Sequence, residues 1–140
     1  MQTFLPYSSF DLSAQCLDYK RLGKQRVEAK QIHNIVSGAR STGGWLHHPA
    51  VLMWMGHAGA LALYHDFMID EWVARGYKNT MPHLWTGEDD FDMPAWLGDE
   101  RVHESHRSNL LRKDPDHYGK YEWAEADDLP YFWPTEGCYA

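Results

Sequence analysis

PAVLMWMGHAGALALYHDFMIDEWVARG, residues 49–76, decides the fold. Pro49 suits the first position of a helix, where its missing N–H costs nothing. Arg75-Gly76 suits the end, because glycine accepts a left-handed cap. Between them Trp54, Leu61, His65, Met68 and Trp72 fall on one side. Val51, Leu52, Met53 and Met55 make the first turns apolar nearly all round, the mark of a central, buried helix. Gly56 and Gly59 lower helix propensity, admit a close neighbour, and mark where a break would fall. The expectation is a helix from about 49 to 75 at the centre of an all-α domain.

The flanks agree with a compact helical fold. Residues 22 to 38 keep a 3.6-residue period through Leu22, Ala29, Ile32 and Val36, with Gly38 as the cap. Residues 11 to 19 suit a short helix capped by Asp11 or Ser13. Before it, Phe4, Leu5, Tyr7 and Phe10 are too apolar for a loose lead and should pack on the body. Residues 40 to 48 form a loop, and residues 77 to 101 a long packed loop around the acidic run Glu88-Asp89-Asp90. Ser105 should cap a helix through Lys113, and Asp114-Pro115 should stop it and start another carrying His117, Tyr118 and Tyr121. The tail, LPYFWPTEGCYA, is extended and aromatic. With no internal repeat or linker, residues 1–140 form a single domain.

Seven Trp, eight Tyr and five Phe supply a sizeable core for 140 residues. No apolar run approaches the roughly 18 to 20 residues of a membrane span, and MQTFLPYSSF lacks the pattern of a secretory leader. Cys16 and Cys138 form no zinc or redox spacing, so reduced thiols and a cytoplasmic location are expected. The net charge of −7 is unevenly spread: residues 1 to 48 hold six Lys/Arg against three Asp/Glu, and the remainder is strongly acidic. Such a chain binds a polyanion through one local patch.

That patch is DYKRLGKQRVEAK, residues 18–30, where Lys20, Arg21, Lys24, Arg26 and Lys30 suit phosphate oxygens at a helix start. A bland alternative is a solvated face balanced by Asp18 and Glu28. His57, Tyr64 and Glu71 recur every seven residues and can line a groove or sit as satisfied, half-buried polar groups. In RVHESHRSNLLRKDPDHYGKY, residues 101–121, Arg107 and Lys120 extend the basic character, and Glu104 is a candidate general acid or base. His103 and His106 have no third ligand at a fixed spacing, so no zinc and no other cofactor is expected. His33, His57, Tyr64, His103, His106 and Tyr118 are the candidate groove-lining residues. Lys113, beside Asp114 and Asp116, is expected to matter less than Lys24. His47-His48-Pro49 precedes a helix start, an anion-friendly place. The absence of a Walker loop, GxGxxG, HExxH or serine elbow disfavours the chemistries those motifs serve.

DYKRLGKQR (18–26), EWVARGYKNT (71–80) and HYGKY (117–121) resemble the phage-type pyrimidine-dimer DNA glycosylase family. The opening MQTFLPY and the run SHRSNLLRKDP resemble a bacterial and phage branch of it. The resemblance implies a small all-helical enzyme that kinks DNA and flips out a base. It also implies an N-terminal α-amine attacking the sugar C1′, a Schiff base that permits strand cleavage, and a glutamate that assists. By this resemblance Lys20 and Lys24 stand where the family has phosphate-gripping arginines, and Arg21 stands where it has its catalytic glutamate. The family's N-terminal threonine is absent, since the chain begins Met1-Gln2 and methionine before glutamine is normally retained. Glu28, about two turns further along, is the substitute carboxylate; Lys24 and the amine of Met1 are the candidate nucleophiles. The leading reading is therefore a base-excision DNA glycosylase, with abasic-site lyase activity where a Schiff base forms. Its competitors are a non-catalytic nucleic-acid-binding domain and an enzyme acting on a nucleotide or modified base. The partner in each case is DNA or a nucleotide-like anion, not a membrane, and nothing in the sequence sets an oligomeric state.

Overall fold

The computed structural model describes residues 1–87 and 92–135; the acidic run Glu88-Asp89-Asp90 and Cys138 lie outside them. The described residues form helices and no strand: α1 (Phe10–Cys16), α2 (Tyr19–Val36), α3 (Pro49–Leu52), α4 (Ala58–Ala74), α5 (Glu100–Lys113) and α6 (Pro115–Tyr118), then a 3-10 turn at Gly119–Tyr121. None of these helices is long and apolar enough to cross a membrane. Ser9 caps α1 by accepting from the Leu12 N–H at 3.1 Å, and Asp18 caps α2 by accepting from that of Arg21 at 3.4 Å. Gly38 and Gly76 take left-handed φ values of 85° and 91° just past α2 and α4.

The expected helix over 49–75 is two helices. Pro49 and Ala74 do mark a start and an end, but Gly56 sits at φ 82°, which a continuing helix cannot accept. Residues 53–57 turn there, and Trp54 drives its ring into the core against Phe10, Tyr64 and Trp96. The central position of the segment holds: α4 packs along α2 and across α1, burying Leu61, Tyr64, Met68 and Ile69.

An extended segment, residues 2–6, lies between the α2–α4 pair and α5. It is buried and has no neighbouring strand, so its backbone groups need partners from side chains. Gln25 supplies an acceptor for the Phe4 N–H (3.0 Å) and a donor for the Gln2 carbonyl (2.9 Å). The Tyr64 hydroxyl reaches the Phe4 carbonyl at 2.8 Å. Two histidines of α5 clamp Leu5: His106 Nδ1 accepts from its N–H at 2.9 Å, and His103 Nδ1 meets its carbonyl at 2.8 Å. Arg107 donates to the Pro6 carbonyl at 2.8 Å.

The other side of α5 holds the tail. Ser108 Oγ accepts from the Leu129 N–H at 3.0 Å, Ser105 Oγ from that of Phe132 at 3.1 Å, and Asn109 donates to the Leu129 carbonyl at 3.0 Å. This explains two departures from expectation. The helix starts at Glu100 under an Asp99 cap, and Ser105 sits in its middle. Its buried face reads as polar because it serves the backbone of two extended segments, so apolar periodicity does not reveal where it begins.

Burial also pushes the His106 imidazole down to about 3, because a charged ring here would be stripped of water and would lose its Nδ1 acceptor. The folded state thus keeps this ring neutral where an unfolded chain, titrating near the ordinary value of 6.5, takes up a proton. The His106 contribution is full above 6.5 and declines as pH falls toward 3. His106→Asn, which keeps an acceptor near Leu5 but cannot titrate, should flatten the fall of unfolding free energy over that range by up to about 1.4 kcal/mol per pH unit. Urea unfolding of parent and variant from pH 7 to about 4 measures it; parallel curves would contradict it.

Candidate active site

The first turns of α2 and the start of the chain form one wall of a cleft of about 430 Å³. Met1, Gln2, Phe4, Lys20, Arg21, Lys24, Gln25 and Glu28 line it there, and Lys113 and Tyr131 close the other side. Helical spacing puts Arg21, Lys24, Gln25 and Glu28 on adjacent ridges of α2, so the buried stripe at Leu22, Gln25, Ala29 and Ile32 grades directly into the cleft. Glu28 accepts from the Gln2 N–H at 3.4 Å and from Gln25 Nε2 at 3.2 Å, which sets a carboxylate beside the first peptide of the chain.

Arg21 is steadied by Asp18 at 3.2 Å. Burial alone would raise the Asp18 carboxyl, but the Tyr118 hydroxyl, the Arg21 guanidinium and the Arg21 N–H together hold it below its ordinary value. Tyr118, expected to line a groove, is buried and anchors this cap, binding both the carboxylate and the backbone N–H of Asp18. Lys20 and Lys24 are exposed, and Lys20, Arg21 and Lys113 also share a neighbouring concavity beyond Asp18. Lys113 therefore faces the α2 cations across open space, with Asp114 lining the same concavity.

On the opposite flank of α2, a second hollow of about 480 Å³ is lined by Tyr19, Gly23, Val27 and Trp72, with Lys20, Lys24 and Glu28 on the ridge between the two. Gly23 permits the close approach there, since a Cβ would meet the Trp72 ring at 3.0 Å and the ring would have to shift. The Trp72 ring lies against Tyr77 at 4.3 Å and carries the Arg26 guanidinium 4.2 Å from its centroid.

A family model described as pyrimidine dimer DNA glycosylase matches residues 1–84, more than half of the chain. The chain belongs to the pyrimidine dimer DNA glycosylase family. It matches none of the curated proteins and none of the solved structures. The part of this glycosylase-family chain that the model covers includes α1 to α4 and the whole α2 wall of the cleft, whereas Lys113 and Tyr131 come from beyond it.

The cleft gathers Met1, Lys20, Arg21, Lys24 and Glu28 and leaves the other candidates elsewhere. Arg26 is committed to Trp72 and to Asn79 Oδ1 at 2.8 Å. Arg107, with a side chain 12% exposed, spends its donors on Glu125, Glu100 and the Pro6 carbonyl. Lys30 lies within electrostatic range of His33, whose ring burial holds below its ordinary value. Lys120 sits over its neighbour Tyr121, and Glu104 is half-buried on α5. Of the groove-lining candidates, Tyr64, His103 and His106 are buried clamps on the N-terminal segment rather than groove walls. His57 precedes α4 with Nδ1 3.2 Å from the Asp92 carbonyl. Cys16 is buried, which pushes its thiol up to about 12 and leaves it chemically quiet. Among the described residues no group of three or more His, Cys, Asp or Glu could hold a metal ion.

Gln25 and Tyr131 line the cleft and escaped the sequence reading. Gln25 left a usable signal, a polar residue on the buried stripe of α2. Tyr131 left none, because the tail has no period. His48 caps α3 through Nδ1, which accepts from the Ala50 N–H at 3.0 Å, so the neutral ring carries its proton on Nε2. Its ring is held below the ordinary value by burial and then by the positive N-terminus, with Glu28 opposing, so it stands within the field of both. Lys24→Glu and Lys113→Glu should each weaken binding to a short duplex and lower its salt slope by about one unit. Lys120→Ala, outside the cleft, should leave the slope unchanged. Fluorescence anisotropy across a salt series tests this, and a parental slope for Lys113→Glu would remove α5 from the contact surface.

Proposed function

We propose that this chain is a DNA glycosylase of the pyrimidine-dimer type, with the α-amine of Met1 as nucleophile and Glu28 as its proton acceptor. The single observation that carries the reading is that Met1, Glu28 and the cations Lys20, Arg21 and Lys24 line one cleft. The cations hold phosphates on either side of the lesion and bring the sugar C1′ to the amine. Glu28 takes the proton that the amine must lose to attack, and the C1′–base bond breaks as the C1′–N bond forms. The base leaves with the proton that Glu28 took, and a proton on the new C1′–N bond passes to the sugar oxygen as the C1′–O bond opens, giving a protonated Schiff base. Loss of a C2′ proton then expels the 3′ phosphate, so abasic-site lyase activity accompanies base removal. Met1 stands at the held start of the chain, where the Gln2 N–H bonds Glu28, whereas Lys24 is exposed, and this favours the Met1 amine. The apolar hollow lined by Tyr19, Val27 and Trp72, across the cationic ridge, suits an extruded base.

Borohydride trapping on DNA carrying a pyrimidine dimer or an abasic site, followed by peptide mapping, tests the mechanism. The adduct should map to the N-terminal peptide. Lys24→Arg should trap at the parent rate, and one extra residue ahead of Met1 should abolish trapping. An adduct on Lys24 would overturn the assignment of the nucleophile. Salt-dependent DNA binding with no adduct would leave a non-catalytic binding domain, and affinity for free nucleotides alone would point to a small-molecule substrate.

A further inference from the structure

Gln25 is 1% exposed, and its amide uses all four of its hydrogen-bonding positions. Oε1 accepts from the Phe4 N–H at 3.0 Å and, at 2.6 Å, shares the single Tyr64 hydroxyl proton with the Phe4 carbonyl. Nε2 donates to the Gln2 carbonyl at 2.9 Å and to Glu28 Oε2 at 3.2 Å. The orientation of the amide is forced. Reversed, it would set an oxygen against the Gln2 carbonyl and the Glu28 carboxylate, and an NH2 against the Phe4 N–H. Glu28 Oε2 is thus gripped from two sides, by Gln25 on its own helix and by the Gln2 N–H of the chain start.

We infer that Gln25 is a positioning residue that fixes the Glu28 carboxylate against residues 1 and 2. It acts by bonding the carboxylate and the Gln2 carbonyl through one NH2 group. This rests on the proposed roles of the Met1 amine and Glu28 and adds what sets their separation. Glu28 is only half-buried, and a glutamate side chain free to rotate would visit the amine part of the time. Tied through Gln25, whose other end is held by Phe4 and Tyr64, it keeps one geometry relative to the backbone that carries the amine.

Gln25→Glu keeps the shape, removes the donor, and sets a second carboxylate against Glu28. Trapping is read at saturating DNA, with affinity for an unreactive tetrahydrofuran abasic site measured alongside, because the added carboxylate lies in the cleft beside the cations. The single-turnover rate of borohydride trapping should fall at least about tenfold. Two carboxylates in contact resist joint ionisation, so the acid limb of the trapping-rate profile should move to higher pH. A general loss of packing would not move that limb. In a Glu28→Gln background the further change Gln25→Glu should add little, since its effect runs through Glu28. An adduct that maps to Met1, with parental rate and pH profile in Gln25→Glu, overturns the role of Gln25 alone. A parent that yields no adduct at Met1 overturns the underlying mechanism instead. Should Gln25→Glu not fold, the parent decides by NMR. Slowly exchanging Gln25 side-chain NH2 resonances that shift as Glu28 titrates support the tether, and solvent-like exchange with no such response overturns it.

Discussion

A buried extended segment with no sheet to join is the constraint on which the rest of this molecule depends. Residues 2–6 run between helices, where each unpaired N–H or carbonyl would cost about 1–3 kcal/mol. The fold answers with side chains. Gln25 of α2, Tyr64 of α4, and His103, His106 and Arg107 of α5 each bond backbone of this segment. Three helices distant in sequence are thereby tied to one short length of chain. That arrangement accounts for the otherwise surprising polarity of the core around this segment, where Gln25, His103 and His106 are almost wholly buried.

The same constraint fixes where chemistry can occur. A chain start pinned at Gln2, Phe4, Leu5 and Pro6 holds its first residue at a defined place on the body, at the mouth of a cleft whose floor is the polar end of the α2 stripe. Cations on the next ridges of α2 face outward above it, and an acidic surface elsewhere leaves them as the natural landing point for a polyanion. The opposite wall, Lys113 and Tyr131, is built by α5 and the tail, outside the segment that matches the family model. The side of the cleft nearest the proposed nucleophile thus belongs to the shared scaffold, and the facing side to the remainder of the chain.

Much of this was legible before any coordinates. Periodicity gave α2 and the burial of the 49–76 segment, because apolar residues at helical spacing have one way to leave water. Gly38 and Gly76 marked helix ends, because left-handed backbone favours glycine. The density of Lys and Arg near residue 20 marked the stretch that forms the α2 side of the cleft, and Glu28 and Met1, named as candidates, line the same cleft. What the linear pattern hid was partnership. His103 and His106 carry the same letters whether they line a groove or clamp a buried peptide, and Arg107 the same letters whether it meets a phosphate or two carboxylates. Local sequence determined which segments are helical and where positive charge collects. Only tertiary structure decided which polar side chains are spent on buried backbone and which stay free to face the cleft, because a hydrogen bond between residues about a hundred positions apart leaves no period in the sequence.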